Sequence, residues 1–247
     1  MFENLPTPVI FAHRGASAHA PENTLTAFEL AVKQGAVAIE LDAMLCASGE
    51  VVVIHDDTLE RTTNGRGKVN ETPLSTLQSL DAGAFFAPDF AGERIPTLEQ
   101  VFETLGRRVF INVELKNYAS PRDDLPERVA ALVRQHGLED WVMFSSFNPL
   151  ALRRAQASLP KVPVGLLTTG SRAGRLLNAL PGRLLVAYAA LHPERSAVDA
   201  GLVQAVHRRG KRLHVYTVNR PEEAGRLFAL GVDGIFSDDP LILGDRT

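Results

Sequence analysis

The chain has 247 residues, of which 45% are hydrophobic and 22% are charged, and its formal net charge is −3. These are the proportions of an ordinary globular protein, and the mixed charges offer no basic surface for a nucleic acid. A single cysteine excludes an internal disulfide framework, and no run approaches the roughly 20 apolar residues that span a bilayer. The N-terminal residues lack the features of a signal peptide, so a cytoplasmic location is predicted.

Eight short apolar runs alternate with helical patterns along the chain. Continuous apolar runs are typical of parallel strands that are covered on both faces. The runs are residues 8–13, 36–42, 109–115, 142–147, 162–167, 183–188, 212–218 and 233–238. Between them, "TLEQVFETLG" carries Thr97 and Gln100 at the spacing of a capping box. The alternation predicts an α/β fold of the (β/α)8 TIM barrel type, with a doubly wound open sheet as the second choice.

A ninth strand-like run, "EVVVIHDD" at residues 50–57, follows the second predicted strand too closely for a parallel crossover. The short connection therefore predicts a β-hairpin with its turn in "ASGE". Counting outward from that turn places Asp42 roughly opposite His55.

Residues 58–96 break the alternation of strands and helices. They are rich in Gly, Thr, Asn and Pro and contain one short helical pattern, "PLSTLQSL". We expect a small insertion on the barrel rim after strand 2 rather than a second domain, so residues 1–247 are predicted to form one domain.

Charged residues end two of the predicted strands, in "AIELD" and "NVELK". Residues two apart on a strand face the same side, so Glu40 and Asp42 point to the barrel mouth, as do Glu114 and Lys116. One explanation is a set of ion pairs that closes the barrel end. The other is a cation, because three converging carboxylates are costly to bury without one. Three oxygen ligands suit Mg²⁺ or Ca²⁺ better than zinc.

The first strand and the hairpin add two histidines to the same rim. His13 and Arg14 directly follow an apolar strand, where the catalytic face of a barrel lies. His55 ends the hairpin beside Asp42. Two histidines could serve as acid and base on opposite sides of a phosphorus atom, while Arg14 and Lys116 bind the phosphate. This combination favours metal-assisted cleavage of a phosphodiester.

The stretch from "FAHRGAS" through "PENT", "IELD" and "VIHDD" to "NGRGKV" closely resembles the N-terminal signature of glycerophosphodiester phosphodiesterases of the bacterial cytoplasmic type. The likeness continues through "NVELK", "SSFNP" and "VYTVNRPEEAGRLFALGVDGIFSDDP". It implies a barrel with a small insertion after strand 2. It also implies metal-dependent hydrolysis of glycerophosphodiesters, such as glycerophosphocholine and glycerophosphoethanolamine, to sn-glycerol 3-phosphate and an alcohol.

The resemblance also assigns roles by position. It makes Glu40, Asp42 and Glu114 the ligands of one divalent cation, His13 and His55 the acid and base, and Arg14 and Lys116 the phosphate-binding residues. Tyr216 stands where many members have tryptophan, so it is a candidate both for the substrate pocket and for the core. Asn23 is expected to cap and fix the loop after the first strand. The implied partner is a small-molecule substrate, without nucleic acid or membrane insertion.

Two other functions fit parts of the pattern. A barrel lyase or isomerase could use Lys116 as a Schiff-base amine, which requires a depressed pKa. A non-catalytic phosphoglycerol-binding protein would keep the pocket without needing two histidines. Sphingomyelinase D-like enzymes share the barrel, but they are secreted and have paired cysteines. The pattern leaves several choices open: Mg²⁺ or Ca²⁺, the preferred alcohol, water or a substrate hydroxyl as nucleophile, the order of the two histidines, and the oligomeric state.

Overall fold

A computed structural model of the chain describes residues 2–171 and 186–244. Within these residues, eight parallel strands close into a barrel, which confirms the predicted fold class. The strands are β1 (Val9–His13), β2 (Ala38–Leu45), β3 (Val51–Val53), β4 (Phe110–Leu115), β5 (Val142–Ser146), β6 (Val164–Thr168), β7 (Ala190–Pro193), β8 (Arg212–Val215) and β9 (Gly234–Ser237). All except β3 belong to the barrel, and β1 closes it by pairing with both β2 and β9.

Helices surround the barrel and cover its outward-facing apolar side chains. The helices of the described residues are α1 (Leu25–Lys33), α2 (Leu74–Leu77), α3 (Leu98–Leu105), α4 (Leu125–Gln135), α5 (Pro149–Ser158), α6 (Ala200–His207) and α7 (Pro221–Ala229). Short 3-10 turns occur at Phe2–Asn4, Val69–Glu71, Pro88–Phe90 and Arg195–Ala197. The predicted capping box of α3 is present, with reciprocal bonds between Thr97 and Gln100. None of the helices in the described ranges is long and apolar enough to cross a membrane.

The barrel interior changes from apolar to polar along the strand direction. Val9, Phe11 and Phe110 belong to an apolar cluster at the amino ends of the strands. Further along the strands, the interior positions are polar. In β1 the next interior residue after Phe11 is His13, and in β4 the next two after Phe110 are Asn112 and Glu114. The polar groups therefore gather at the carboxyl ends of the strands, where barrel enzymes have their active sites.

The predicted hairpin is present, but its register differs by one residue. Strand β3 pairs antiparallel with the end of β2, and Ala43 lies opposite Val53. The residue directly opposite Asp42 is therefore Ile54, whose N–H donates to the Asp42 carbonyl at 3.0 Å, and the approximate pairing of Asp42 with His55 is off by one residue. The number of residues in the turn decides the register, and the apolar pattern of β3 leaves that number undefined.

The sixth predicted barrel strand also has wrong boundaries. Of the predicted residues 183–188, the first three lie outside the described residues, and residues 186–188 are not in a strand. The strand is β7, which pairs with β6 from Gly165 and Ala190 onward. Val186 and Tyr188 are buried although they are outside the strand, so apolar character alone could not locate its start.

Residues 58–96 pack against the hairpin on the rim, as expected for an insertion after strand 2. Their only α-helix among the described residues is α2, which lies in the predicted helical pattern. Leu59, Val69 and Leu77 form a separate apolar cluster with Met44 and Val52 of the hairpin. This cluster fixes the segment close to the carboxyl end of β2.

Candidate active site

Three carboxylates meet at the carboxyl ends of β2 and β4. The strand register places Asp42 beside Glu114, and Glu40 beside His13 of β1. Glu40, Asp42 and Glu114 each offer an oxygen within 4.8 Å of the others. The structure thus brings together the three residues that the sequence predicts as metal ligands.

The environment of these carboxylates fits a divalent cation. Glu40 and Asp42 are 2% and 1% exposed, and Oε1 of Glu40 and Oδ1 of Asp42 have no hydrogen-bond partner. Burial raises the pKa of Glu40 well above its usual range, and the charges of Asp42 and Glu114 raise it further. A buried carboxylate oxygen without a donor is costly, and a hard cation removes both that cost and the repulsion.

Asp42 is held in its ionised form by the residues around it. Burial opposes its ionisation, but the charges of Lys116, Arg14 and His55 outweigh burial and lower the pKa of its carboxyl. Asn23 donates a hydrogen bond from Nδ2 to Oδ2 of Asp42 at 2.8 Å. Asn23 therefore orients a site carboxylate.

The sequence offers two polar cap candidates before α1, Asn23 and Thr24, and the structure uses the second. The N-cap of α1 is Thr24, whose hydroxyl accepts from the N–H of Ala27. Asn23, which precedes it, has a φ of +59°, a conformation that asparagine tolerates better than most residues. The prediction that Asn23 caps the helix is therefore wrong. Asn23 does hold the loop after β1, because its N–H donates to the Arg14 carbonyl at 3.0 Å while its side chain binds Asp42.

His13 lies between two carboxylates. Its Nδ1 is 2.6 Å from Oδ1 of Asp238, and its Nε2 is 3.9 Å from Oε2 of Glu40. Asp238 is itself held by Asn219, whose Nδ2 donates to it at 2.5 Å. A carboxylate on Nδ1 fixes the ring and directs Nε2 into the site. The sequence prediction did not include Asp238, although it directly follows β9 at the same end of the barrel.

His55 has a similar arrangement on the other side of the site. Its Nδ1 is 2.5 Å from Oδ1 of Asp56. The aspartate that orients this ring is Asp56, whereas the next residue, Asp57, is exposed. Both histidines thus pair their Nδ1 with an aspartate, although the two aspartates come from opposite ends of the chain.

Arg14 turns both its backbone and its side chain toward the site. Its φ of +56° allows its N–H to donate to Oε2 of Glu40 at 3.0 Å. Its guanidinium lies 3.3 Å from Oδ2 of Asp42 and donates to Glu22 at 2.9 Å. Burial would lower the pKa of Arg14, but Asp42, Glu22 and Glu40 outweigh burial and raise it. A permanent positive charge therefore lies next to the carboxylates.

Lys116 lies between two of the carboxylates. Its Nζ is 3.5 Å from Asp42 and 3.4 Å from Glu114. Burial would lower its pKa, but the charges of Asp42 and Glu114 outweigh burial and raise it. A Schiff-base amine must lose its proton, so this environment disfavours the lyase or isomerase alternative.

Aromatic side chains border the site on the side of β4, β5 and β8. The hydroxyl of Tyr118 donates to Oε1 of Glu114 at 2.7 Å, a contact that the sequence analysis did not anticipate. Tyr118, Phe147 and Tyr216 follow one another in edge-to-face contacts with ring centroids 5.8 and 5.9 Å apart. Tyr216 is half-buried and donates from its hydroxyl to the carbonyl of Thr168 at 2.8 Å. Tyr216 therefore lies at the rim of the barrel, with its ring partly buried against the neighbouring side chains.

A cavity of about 400 Å³ opens beside these residues. His55, Asp56, Lys116 and Tyr118 are among the residues that line it. It therefore offers space for a small molecule beside His55 and next to Lys116 and Tyr118, both of which contact Glu114.

The remaining histidines lie outside this set. His192 and His214 are buried in the barrel interior, with His214 Nδ1 3.3 Å from His192 Nε2. His192 lies within β7. His19, His136 and His207 pair with Asp239, Glu99 and Asp233 respectively.

Comparison with known proteins agrees with this geometry. The model of the glycerophosphoryl diester phosphodiesterase family matches residues 13–242. The chain belongs to this family. The family and enzyme class that were predicted from the sequence are thereby confirmed. The match begins at His13, so it includes every predicted site residue.

Individual members of the family are similar along almost the whole chain. A glycerophosphodiester phosphodiesterase of Caldanaerobacter subterraneus is 40% identical, with 94% of each chain covered. A phosphodiesterase of Oleispira antarctica, solved in complex with the product sn-glycerol-3-phosphate, is 35% identical. Its TM-score is 0.87, with 95% of this chain and 94% of that chain covered. A glycerophosphodiester phosphodiesterase from Agrobacterium tumefaciens is 32% identical, has a TM-score of 0.82, and covers 95% of this chain and 97% of its own.

Proposed function

We propose that this protein hydrolyses glycerophosphodiesters to sn-glycerol 3-phosphate and an alcohol, using one divalent cation and two histidines. The carboxylate cluster of Glu40, Asp42 and Glu114, between two histidines whose Nδ1 atoms are held by aspartates, carries the proposal. The family match and the product bound to the Oleispira antarctica relative support the substrate class.

Glu40, Asp42 and Glu114 would hold the cation, and their oxygen ligands fit either Mg²⁺ or Ca²⁺. When bound, such an ion neutralises charge on phosphate oxygens and orients the phosphorus atom for attack. Arg14 and Lys116 each already carry a positive charge next to the carboxylates. We propose that they extend this positive region to the phosphate, with Arg14 providing a planar fork and Lys116 a point charge.

His13 and His55 would transfer the protons. With its Nδ1 on an aspartate, each imidazole presents Nε2, one to remove a proton from the nucleophile and the other to protonate the leaving oxygen. Each such transfer typically contributes about 10²- to 10⁴-fold to the rate. A phosphoglycerol-binding protein would need neither ring, so two carboxylate-held histidines favour the enzyme.

The substrate would lie in the cavity beside His55 and Lys116. We propose glycerophosphocholine and glycerophosphoethanolamine as substrates. Tyr216 would reach the substrate from beyond Phe147 and Tyr118, of which Tyr118 lines the cavity. The barrel and the rim segment 58–96 would act as one catalytic domain, because the segment packs on the hairpin that carries His55.

Product analysis by ³¹P NMR tests this function directly. Purified protein is incubated with glycerophosphocholine and Mg²⁺ or Ca²⁺, and the phosphorus resonances of the products are assigned with authentic standards. The proposal predicts sn-glycerol 3-phosphate together with free choline. Phosphocholine and glycerol would mean that the other ester bond is cleaved, and an unchanged substrate with bound resonances would support the binding-only alternative.

A further inference from the structure

Arg61 connects two acidic residues on opposite sides of the site. It lies in the loop after β3, and its guanidinium donates to Asp56 from Nε at 2.6 Å and from Nη2 at 3.1 Å. It also donates to Glu22 from Nη1 at 2.7 Å and from Nη2 at 2.8 Å. One planar cation thus makes two-pronged contacts with two carboxylates, which is the geometry that arginine provides and lysine cannot.

Each of these carboxylates also holds a residue of the proposed catalytic machinery. Oε1 of Glu22 accepts from Arg14 as well as from Arg61, at 2.9 and 2.8 Å. Oδ1 of Asp56 contacts Nδ1 of His55 as well as Nη2 of Arg61. The result is a continuous chain of five side chains, which runs from the phosphate-binding arginine to an acid/base histidine.

Regular secondary structure does not fix the two carboxylates that Arg61 joins. Glu22 lies in the loop between β1 and α1, and Asp56 lies beyond the end of β3. Without Arg61, the Glu22 and Asp56 carboxylates would lose the cation that draws them together. A displacement of about 1 Å at a reacting group can cost about 10²-fold in rate.

We propose that Arg61 is a positioning residue that sets the distance between His55 and Arg14 across the bound phosphate. This inference rests on the proposed function. The alternative is a surface ion-pair cluster that only attaches the rim segment, since the Arg61 side chain is 45% exposed. Exposed ion pairs contribute about 0–1 kcal/mol each to folding, so that alternative predicts a small change in stability and no specific change in turnover.

Steady-state kinetics of Arg61→Met and Arg61→Lys separate the two explanations. We expect kcat for glycerophosphocholine to fall about 10- to 100-fold in Arg61→Met, with KM changed less than about threefold. Arg61→Lys should recover only part of this loss, because an ammonium cannot hold both carboxylates with a fork. Arg66→Met, which removes an exposed arginine of the same loop, is the matched control and should keep wild-type kcat.

A double-mutant cycle tests the bridge itself. With Arg61 present, Glu22→Gln and Asp56→Asn each interrupt the same chain of side chains. The double variant should therefore lose about tenfold less kcat than the product of the two single losses. In the Arg61→Met background the two losses should multiply. Multiplicative losses in both backgrounds would show that Arg61 does not couple the two carboxylates.

Histidine NMR gives a readout that is independent of turnover. Long-range ¹H–¹⁵N spectra, assigned with His13→Gln and His55→Gln, report which ring nitrogen carries the proton. We expect Arg61→Met to change the His55 pattern and to leave that of His13, which Asp238 holds, unchanged. An unchanged His55 pattern together with wild-type kcat would overturn the proposal. If the wild-type protein releases no product but the His55 pattern changes, the proposed function fails and the positioning role stands.

Discussion

Two aspartates give His13 and His55 similar surroundings from unrelated parts of the chain. Asp238 contacts Nδ1 of His13 at 2.6 Å, and Asp56 contacts Nδ1 of His55 at 2.5 Å. The first pair is separated by 225 residues and meets only because β9 pairs with β1. The second pair is formed by adjacent residues. The barrel closure positions His13 and the hairpin positions His55. In both cases the imidazole has a fixed orientation and an Nε2 that is free to face the site.

Asp238→Asn tests whether this orientation matters for the reaction. The amide cannot provide the negative charge that stabilises a protonated His13, so kcat should fall by about 10- to 10³-fold, less than or equal to the loss in His13→Ala. The matched control is Asp239→Asn, which alters the neighbouring carboxylate that pairs with His19. Equal kcat for wild type and Asp238→Asn, at unchanged melting temperature, would remove Asp238 from the mechanism.

At the scale of strands and loops, the sequence predicts those features that follow from periodicity. The two E-x-[D/K] pairs converge because alternate residues share a face and parallel strands end at the same rim. The contacts of Asp238, Glu22 and Arg61 depend instead on the paths of loops and on the closure of the barrel by β1 and β9. No local sequence pattern encodes either of these. The exact hairpin register and the start of β7 could not be predicted for a similar reason, since apolar runs fix neither turn length nor strand ends.

Close contact between β6 and β7 provides a test of the packing inside the barrel. A Cβ added at Gly165 would lie 2.3 Å from Cε1 of His192, a ring that is fully buried. Gly165→Ala should therefore lower the free energy of unfolding by about 1–3 kcal/mol in urea denaturation. Gly225→Ala is the matched control in α7, where nothing lies within 4 Å, and it should raise stability by about 0.5–1 kcal/mol. Equal effects of the two variants would contradict the packing described for the barrel interior.

At the scale of the whole molecule, the buried pair His192 and His214 links stability to pH. Burial lowers the pKa of His192 to about 3, and burial with the neighbouring charges lowers that of His214 well below its usual 6.5. Above pH 6.5 both rings are neutral in the folded and the unfolded chain, so they do not make stability depend on pH. Below it, the unfolded chain binds protons that the folded chain rejects, and stability falls.

Urea denaturation between pH 5 and pH 8 measures this effect. Each histidine should contribute up to about 1.4 kcal/mol per pH unit to the loss of stability below pH 6.5. His214→Gln should flatten that slope, whatever it does to stability at pH 8. Gln204→Ala, at an exposed position that does not titrate, is the control and should leave the slope unchanged. Identical slopes for wild type and His214→Gln would mean that the buried pair is protonated in the folded protein.

The carboxylate cluster also predicts how the metal-free molecule behaves. Glu40 is buried with two like charges beside it, so Glu40→Gln removes repulsion and should leave the melting temperature of chelator-treated protein equal or higher. A clear decrease would show that the Glu40 carboxylate stabilises the metal-free protein and would contradict the repulsion described for this cluster. The cytoplasmic location stays a prediction from the sequence.

The most direct test of the account is a metal titration of turnover. Chelator-treated wild type, Glu40→Gln and the exposed-site control Glu29→Gln are given glycerophosphocholine, and release of sn-glycerol 3-phosphate is followed as Mg²⁺ or Ca²⁺ is added. We expect no release without metal, restored release in wild type and Glu29→Gln, and at least about 100-fold less in Glu40→Gln. Full turnover of the stripped wild type, or of Glu40→Gln at limiting metal, would contradict a catalytic cation at these carboxylates.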